Sequence, residues 1–258
     1  MKNHSLVSII MPSYNTSEYI GESIKSVQAQ TYMDWELIII DDCSTDKTME
    51  VVERFREDSR ILFFQNSKNI GAALSRNKAI KMSRGRWIAF LDSDDLWVPT
   101  KLEKQIQFME KNGIYFSYTN YIEMDCKGEL TGILVSGPKK INYFWMENYC
   151  WVGCLTVMYD SNFIGVLQIG DISKNNDYAM WLQVSKKALC YLYPEITAKY
   201  RRGRKGSTST HGYITLAKWH YILWHNIEKK NILISIINTL RNLCFGAIKK
   251  LLYVRTLN

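Results

Sequence analysis

Short runs of Ile, Val, Leu and aromatic residues at 6–11, 36–40, 61–64 and 87–91 alternate with longer stretches whose apolar residues return every three or four positions. The runs predict strands, and the stretches 19–30, 45–55 and 72–82 predict the helices between them. Strands and helices in this rhythm make βαβ units, which build a parallel sheet. The strands are nearly continuous in apolar residues, as a sheet covered on both faces requires.

Helix boundaries agree with this reading. Ser44, Thr45 and Asp46 offer N-cap oxygens to the second helix. Pro99 opens a further helix over 99–112, where its missing N–H costs nothing, and Gly113 closes it. Beyond that point the pattern is less regular. It predicts a strand at 115–121, a variable segment at 125–150, a strand at 155–159, a helix at 177–187 and a final strand at 196–200. A basic, small-residue loop, R-R-G-R-K-G-S-T-S-T-H-G, fills 201–212, and a helical segment ends the chain. The division expected is an α/β domain over 1–210, in halves 1–112 and 113–210, followed by a tail over 211–258.

Composition narrows the class. With 258 residues, 47% of them apolar, and only 4 Pro and 14 Gly, the chain can fill a core, which excludes disorder and collagen-like repeats. None of the six cysteines forms a C-x-x-C pair, which argues against a zinc ribbon or redox motif and for reduced, cytosolic thiols. The apolar run closed by Pro12 is too short for a signal peptide, and no run nears the ~18 apolar residues of a membrane span. A soluble or surface-bound protein is expected. The net charge of +8 admits an acidic partner, whether nucleic acid, anionic lipid or a phosphorylated ligand.

Candidate chemistry lies where strands of an open α/β sheet end, because ligands bind beyond their carboxyl ends. The first strand runs into Pro12, Ser13, Tyr14 and Asn15, the second into Asp41 and Asp42, the fourth into Asp92, Ser93, Asp94 and Asp95. One rim thus receives an aromatic ring and five carboxylates. Such a cluster repels itself unless donors or a cation neutralise it. A hard divalent cation, Mn²⁺ or Mg²⁺, with phosphates completing its shell, is the simplest solution.

Four blocks carry a resemblance: V-S-I-I-M-P-S-Y-N, W-E-L-I-I-I-D-D-C-S-T-D, N-I-G-A-A-L-S-R-N and G-R-W-I-A-F-L-D-S-D-D. In order and spacing, residues 6–104 resemble the family 2 glycosyltransferases of GT-A fold, and the likeness continues more weakly to about residue 210. It implies a nucleotide-binding first half and an acceptor-binding second half, in a metal-dependent hexosyltransferase. Pro12, Tyr14, Asn15 and Ser93 would line the nucleotide-sugar pocket, and Asp42 would accept uracil N3–H. Arg76 and the basic loop from Arg201 would sit near the diphosphate. Asp92 and Asp94 match the family's D-x-D, with Asp94 the direct metal ligand. The segment Asn175-Asn176-Asp177 matches the family's acidic helix start, with Asn176 where Glu is usual, and implies Asp177 as the base of an inverting transfer. As a plain helix N-cap, Asp177 would need no such role.

The same resemblance implies a UDP-sugar donor, UDP-glucose or UDP-galactose, and a saccharide acceptor on a lipid pyrophosphate in O-antigen, capsule or lipopolysaccharide assembly. The Gln-x-x-Arg-Trp of processive synthases is absent: Gln183 is followed by Val-Ser-Lys-Lys. One sugar per encounter is expected. Trp151 either stacks on a sugar or packs in the core, and core packing is the preferred reading.

The end of the chain adds a partner. Residues 229–258 hold no Asp or Glu but Lys229, Lys230, Arg241, Lys249, Lys250 and Arg255. Leu233, Ile236, Ile237, Leu240, Leu243, Cys244, Ile248 and Leu251 recur at helical spacing. Such a stripe suits an anionic membrane surface, on the inner face of the cell membrane, or packing on the domain or a second copy. Other functions fit less well. A nucleotidyltransferase would want a Gly-rich phosphate loop after the first strand, and a dehydrogenase G-x-G-x-x-G there. A nucleic-acid binder would show a zinc finger or helix-turn-helix, and its phosphates would meet an acidic rim.

Overall fold

The structure, a computed structural model, describes residues 3–203 and 212–257. Its first half follows the expected rhythm: β1 (Asn3–Ser13), α1 (Ile20–Gln28), β2 (Trp35–Asp41), α2 (Thr48–Glu53), β3 (Ile61–Gln65), α3 (Ala72–Met82) and β4 (Gly85–Phe90). A short β5 (Leu96–Trp97) and α4 (Lys101–Asn112) complete it. β3, β2, β1 and β4 lie side by side, all parallel.

Alternation along each strand decides the layers. Val7, Ile9 and Met11 of β1, with Leu37, Ile39, Trp87 and Ala89, face α1 and α4 through Ile20, Ile24, Val27, Leu102 and Ile106. Ile10, Ile38, Ile40, Ile88 and Phe90 point to the opposite face, against Ala79, Ile80, Trp181 and Leu182. A period of two with both phases apolar is what a sheet between two helical layers needs.

The second half contains β6 (Phe116–Met124), β7 (Leu130–Val135), β8 (Lys140–Ile141), α5 (Tyr143–Asn148), β9 (Met158–Asp160), α6 (Ser161–Ile164), α7 (Asn176–Ser185) and β10 (Cys190–Arg201). The parallel order stops at β4. β9 inserts antiparallel between β4 and β6, and β7 pairs antiparallel with β6. Several elements differ from the sequence reading. The strand expected at 155–159 begins as a 3-10 turn, Cys154–Thr156, so β9 has only three residues. The segment 125–150 holds a hairpin: Asp125 Oδ1 accepts from Lys127 and Glu129 N–H, and Gly128 adopts φ 91°. β10 is far longer than 196–200. Pro194 interrupts its pattern at a register shift against β6, and hid its first half.

The chain's end is built from α8 (Tyr213–Ile222), a π-helical turn (Leu223–Ile227), α9 (Ile232–Tyr253) and β11 (Val254–Thr256). Trp224 is fully buried, and β11 pairs with β7.

Gly85 marks the tightest backbone approach in the sheet. A Cβ there would meet the Leu6 carbonyl oxygen at 2.5 Å and the Ser8 nitrogen at 2.7 Å. Backbone cannot swing aside as a side chain can. Gly85→Ala is therefore expected to destabilise the fold by about 2 kcal/mol or more, read as a lowered denaturation midpoint; an unchanged midpoint would show that β1 and β4 can separate freely.

Candidate active site

The ends of β1 and β2 are tied together by polar groups. Asn15 adopts φ 49°, a conformation Asn tolerates, and its side-chain oxygen accepts from the Thr45 N–H at 2.8 Å. Its own N–H donates to Ser44 Oγ at 2.9 Å. Pro12 lies in the last turn of β1, and the Tyr14 ring beyond it is 46% exposed at the rim. Asp41 accepts from Ser44 N–H and Gln65 Nε2. Asp42 is buried and holds the loop before α3: Ile70 and Gly71 N–H donate to it at 2.8 and 2.7 Å, and Asn66 Nδ2 at 3.0 Å. Two of the five rim carboxylates are thus neutralised by local donors, not by a shared cation.

Asp92, Asp94 and Asp95 remain, at the exit of β4. Asp95 is buried; its Oδ1 accepts from Arg201 N–H at 2.8 Å, while its Oδ2 has no hydrogen-bond partner. Burial, then the nearby Asp94 and Asp92 charges, push the Asp95 carboxyl well above the usual range. Ser93 is buried between them. An unpartnered buried carboxyl oxygen beside two more carboxylates gathers hard oxygen donors at one place, and such donors fit a divalent cation. Asp92 and Asp94 would hold Mn²⁺ or Mg²⁺, which when bound neutralises a departing diphosphate. Among the described residues, no three His, Cys, Asp or Glu side chains converge into a ready-made cage. Phosphate oxygens would have to complete the shell.

Arg201 does not lie in a basic loop. It ends β10, is buried, and donates from Nε to the Asp94 carbonyl at 2.9 Å, from Nη1 to the Cys126 carbonyl at 3.1 Å and from Nη2 to Glu22 at 2.6 Å. Its guanidinium also covers the Tyr19 ring. It is a strut beneath the acidic loop, because a buried guanidinium must satisfy its N–H groups internally. Residues 204–211 of the expected loop lie outside the described residues.

Arg76, on α3, connects the two halves. It is buried, ion-pairs with Asp92 Oδ1 through Nη2, and donates from Nη1 to Asn176 Oδ1 on α7. Burial alone would favour its neutral form, but Asp92, Cys154 and Asp177 outweigh that and hold it charged above the ordinary arginine range. Asn176, standing where the resemblance expects Glu, thus binds a cation through a neutral carbonyl.

Asp177 is not the N-cap of α7. That place belongs to Asn175, at φ 57°, and Asp177 sits in the first turn with its Oδ1 accepting from Tyr178 N–H at 2.8 Å. Burial raises its pKa above the ordinary aspartate value and Asp92 adds to this, while Arg76 and the Tyr178 N–H pull the other way. Tyr178 anchors the helix: its hydroxyl donates to the Met146 carbonyl at 2.7 Å and lies 3.2 Å from Asn242 Nδ2 of α9. Lys249 of α9, half-buried, donates to the Cys150 and Trp151 carbonyls and adds a cation near Asp177. The sequence reading missed Asn242 and Lys249. Their signal was a polar stripe, Ser235, Asn238, Thr239 and Asn242, at core spacing.

Trp151 packs in the core: it is 2% exposed, meets Tyr149, Phe245 and Tyr253 edge-on, and donates to the Trp145 carbonyl. Gln183 Nε2 donates to Glu228 Oε1 at 2.7 Å. A cavity of about 500 Å³ opens near Ser5, Tyr32 and Glu110, at the start of β1 and so not at the acidic rim.

Residues 8–143 match the sequence model of the family described as Glycosyl transferase family 2. The chain belongs to this family. Escherichia coli WfaP, a UDP-Glc:alpha-D-GlcNAc-diphosphoundecaprenol beta-1,3-glucosyltransferase, is 41% identical over 219 residues, 84% of this chain and 85% of WfaP. Among solved structures, Staphylococcus aureus TarS 1–349 in complex with UDP-GlcNAc superposes with a TM-score of 0.69 at 19% identity, over 97% of this chain and 75% of TarS. A mannosyltransferase from Pyrobaculum calidifontis, solved with GDP-Man and Mn²⁺, gives 0.62 at 14% identity, over 94% of this chain and 75% of its own. The protein is a glycosyltransferase of GT-A fold.

Proposed function

We propose that this glycosyltransferase is an inverting, non-processive hexosyltransferase that moves glucose or galactose from a UDP-sugar to a saccharide hydroxyl on a lipid diphosphate. Its product would feed surface-polysaccharide assembly at the inner face of the membrane. One observation carries the reading: Arg76 joins Asp92, on the donor side, to Asn176, the neighbour of Asp177. The proposed diphosphate site and the candidate base would then flank one guanidinium. WfaP, which the chain matches over most of both lengths, uses UDP-Glc and a GlcNAc-diphosphoundecaprenol acceptor.

In the proposed step the acceptor oxygen bonds to the anomeric carbon as its proton passes to the Asp177 carboxylate. The bond from that carbon to the diphosphate oxygen breaks, and UDP leaves with the electron pair. Asp177 does the proton work because its raised pKa makes it a stronger base than an exposed aspartate. Tyr14 would face the uracil, with Pro12 and Asn15 shaping the same wall. Asp42 Oδ2 takes one backbone bond and keeps capacity for uracil N3–H. Ser93 and Arg76 would bound the diphosphate, and Asp94 with Asp92 would bind the cation.

The test is transfer from UDP-glucose and UDP-galactose to a synthetic GlcNAc-diphospholipid. Product with inverted anomeric configuration, one sugar per acceptor, is expected. Retained configuration, or a growing chain of added sugars, would refute the reading.

A further inference from the structure

α9 is packed inside out. Its first turns face the domain with polar residues, the buried Ser235, Asn238, Thr239 and Asn242, while Phe245 and Tyr253 toward its end pack on Trp151. Its apolar residues face outward, with Leu233 68%, Leu240 58% and Leu251 81% exposed, alongside Ile232, Ile236 and Ile237. The apolar stripe that could have packed on the domain does not do so over most of its length. This orientation is fastened at several points. Arg241 binds the Asn148 side chain, Asn242 Nδ2 donates to the Glu147 and Asn148 carbonyls, and Lys249 caps two more carbonyls. A Cβ on Gly246 would stand 3.0 Å from the Tyr149 ring, so the helix lies close against its seat. Turning the stripe inward would break these bonds and bury unpaired amides, which water no longer satisfies.

We infer that the outer face of α9 lies in the surface of an anionic bilayer, parallel to the membrane plane. Length and hydropathy would also let this 22-residue helix cross a membrane. Its polar face is bonded to the domain along its length, however, and β11 directly after it returns to β7, so both ends stay with one body. The occupant is chosen by charge. Lys229, Lys250 and Arg255 are exposed around the stripe, no acid occurs after Glu228, and Glu228 is itself bonded by Lys186 and Gln183. A second copy would set these cations against their own kind, whereas anionic lipid headgroups complement them. The apolar face continues onto α5, where Phe144 and Trp145 are exposed beside it. Trp is a side chain suited to the headgroup level. Through Asn242 and Tyr178 the same helix touches α7, so the outward-facing helix is bonded directly to the helix that carries Asp177. The inference deepens the proposed function by stating how the site is held at a membrane-borne acceptor.

The test is flotation of the full chain with vesicles of phosphatidylcholine alone or mixed with phosphatidylglycerol, neither containing acceptor. Binding to the anionic vesicles is expected, weakened by salt, and reduced about tenfold or more in the Ile236→Asp/Leu240→Asp double variant. Hydrolysis of UDP-glucose without vesicles reports separately on the transferase and should be unchanged in that variant. No flotation with anionic vesicles, or flotation indifferent to the double substitution, overturns the inference. So does a dimer in solution that the same substitution disperses, since the face would then be a subunit contact.

Discussion

Asp177→Asn is expected to lower the rate of sugar transfer by about two to four orders of magnitude, the usual contribution of a positioned general base, while UDP affinity stays as in the parent. Asn keeps the volume and can still accept from the Tyr178 N–H, so the start of α7 should survive. What it loses is a site for the acceptor proton. The pH profile gives an independent check. The base works ionised, so the rate falls as pH drops through its pKa, and burial places that fall above the ordinary aspartate range. Arg76 lowers this pKa, so Arg76→Met should move the acid limb to still higher pH. Full turnover by Asp177→Asn would remove this residue from the mechanism. An acid limb at the value of an exposed carboxylate would remove the burial argument.

The second large effect concerns Asp94. Asp94→Ala is expected to cost about two orders of magnitude in kcat/KM, equivalent to a few kcal/mol of charge stabilisation at the diphosphate. The decisive readout is binding, not rate. Calorimetric titration of the parent with UDP should show tight binding in Mn²⁺ and weak binding in excess chelator. The variant should bind weakly in both. The acidic loop explains why: Asp95 already carries an unpartnered oxygen among like charges, and an incoming diphosphate would add more. Arg76 is shared between Asp92 and Asn176, and the Arg201 guanidinium is committed to the Asp94 and Cys126 carbonyls and to Glu22. Equal UDP affinity with and without metal would mean that the loop is neutralised by protonation, and the cation would drop out of the scheme.

Much of the first hundred residues was legible without coordinates. Apolar runs of period two, broken by helical segments, give the layers of β1 to β4 because each strand must bury both faces. The strand ends then place Tyr14, Asp42 and the Asp92–Asp95 loop on one rim, a consequence of topology that motif spacing already carries. The later elements were less legible, since their pairing mixes parallel and antiparallel strands and is largely nonlocal. β10 is interrupted by Pro194, and 125–150 hides the second strand of a hairpin with β6.

Which charges are answered, and by whom, belonged to the tertiary structure alone. No local pattern says that Asp42 is held by the backbone of residues 70 and 71, that Arg201 is a buried strut, or that Arg76 reaches a residue a hundred positions away. The same holds for α9. Its two stripes, one apolar and one of Asn, Ser and Thr, are equally periodic, and periodicity cannot tell inside from outside. The carbonyls of residues 147–151 decide it, because a buried carbonyl without a donor costs more than an apolar face left on the surface.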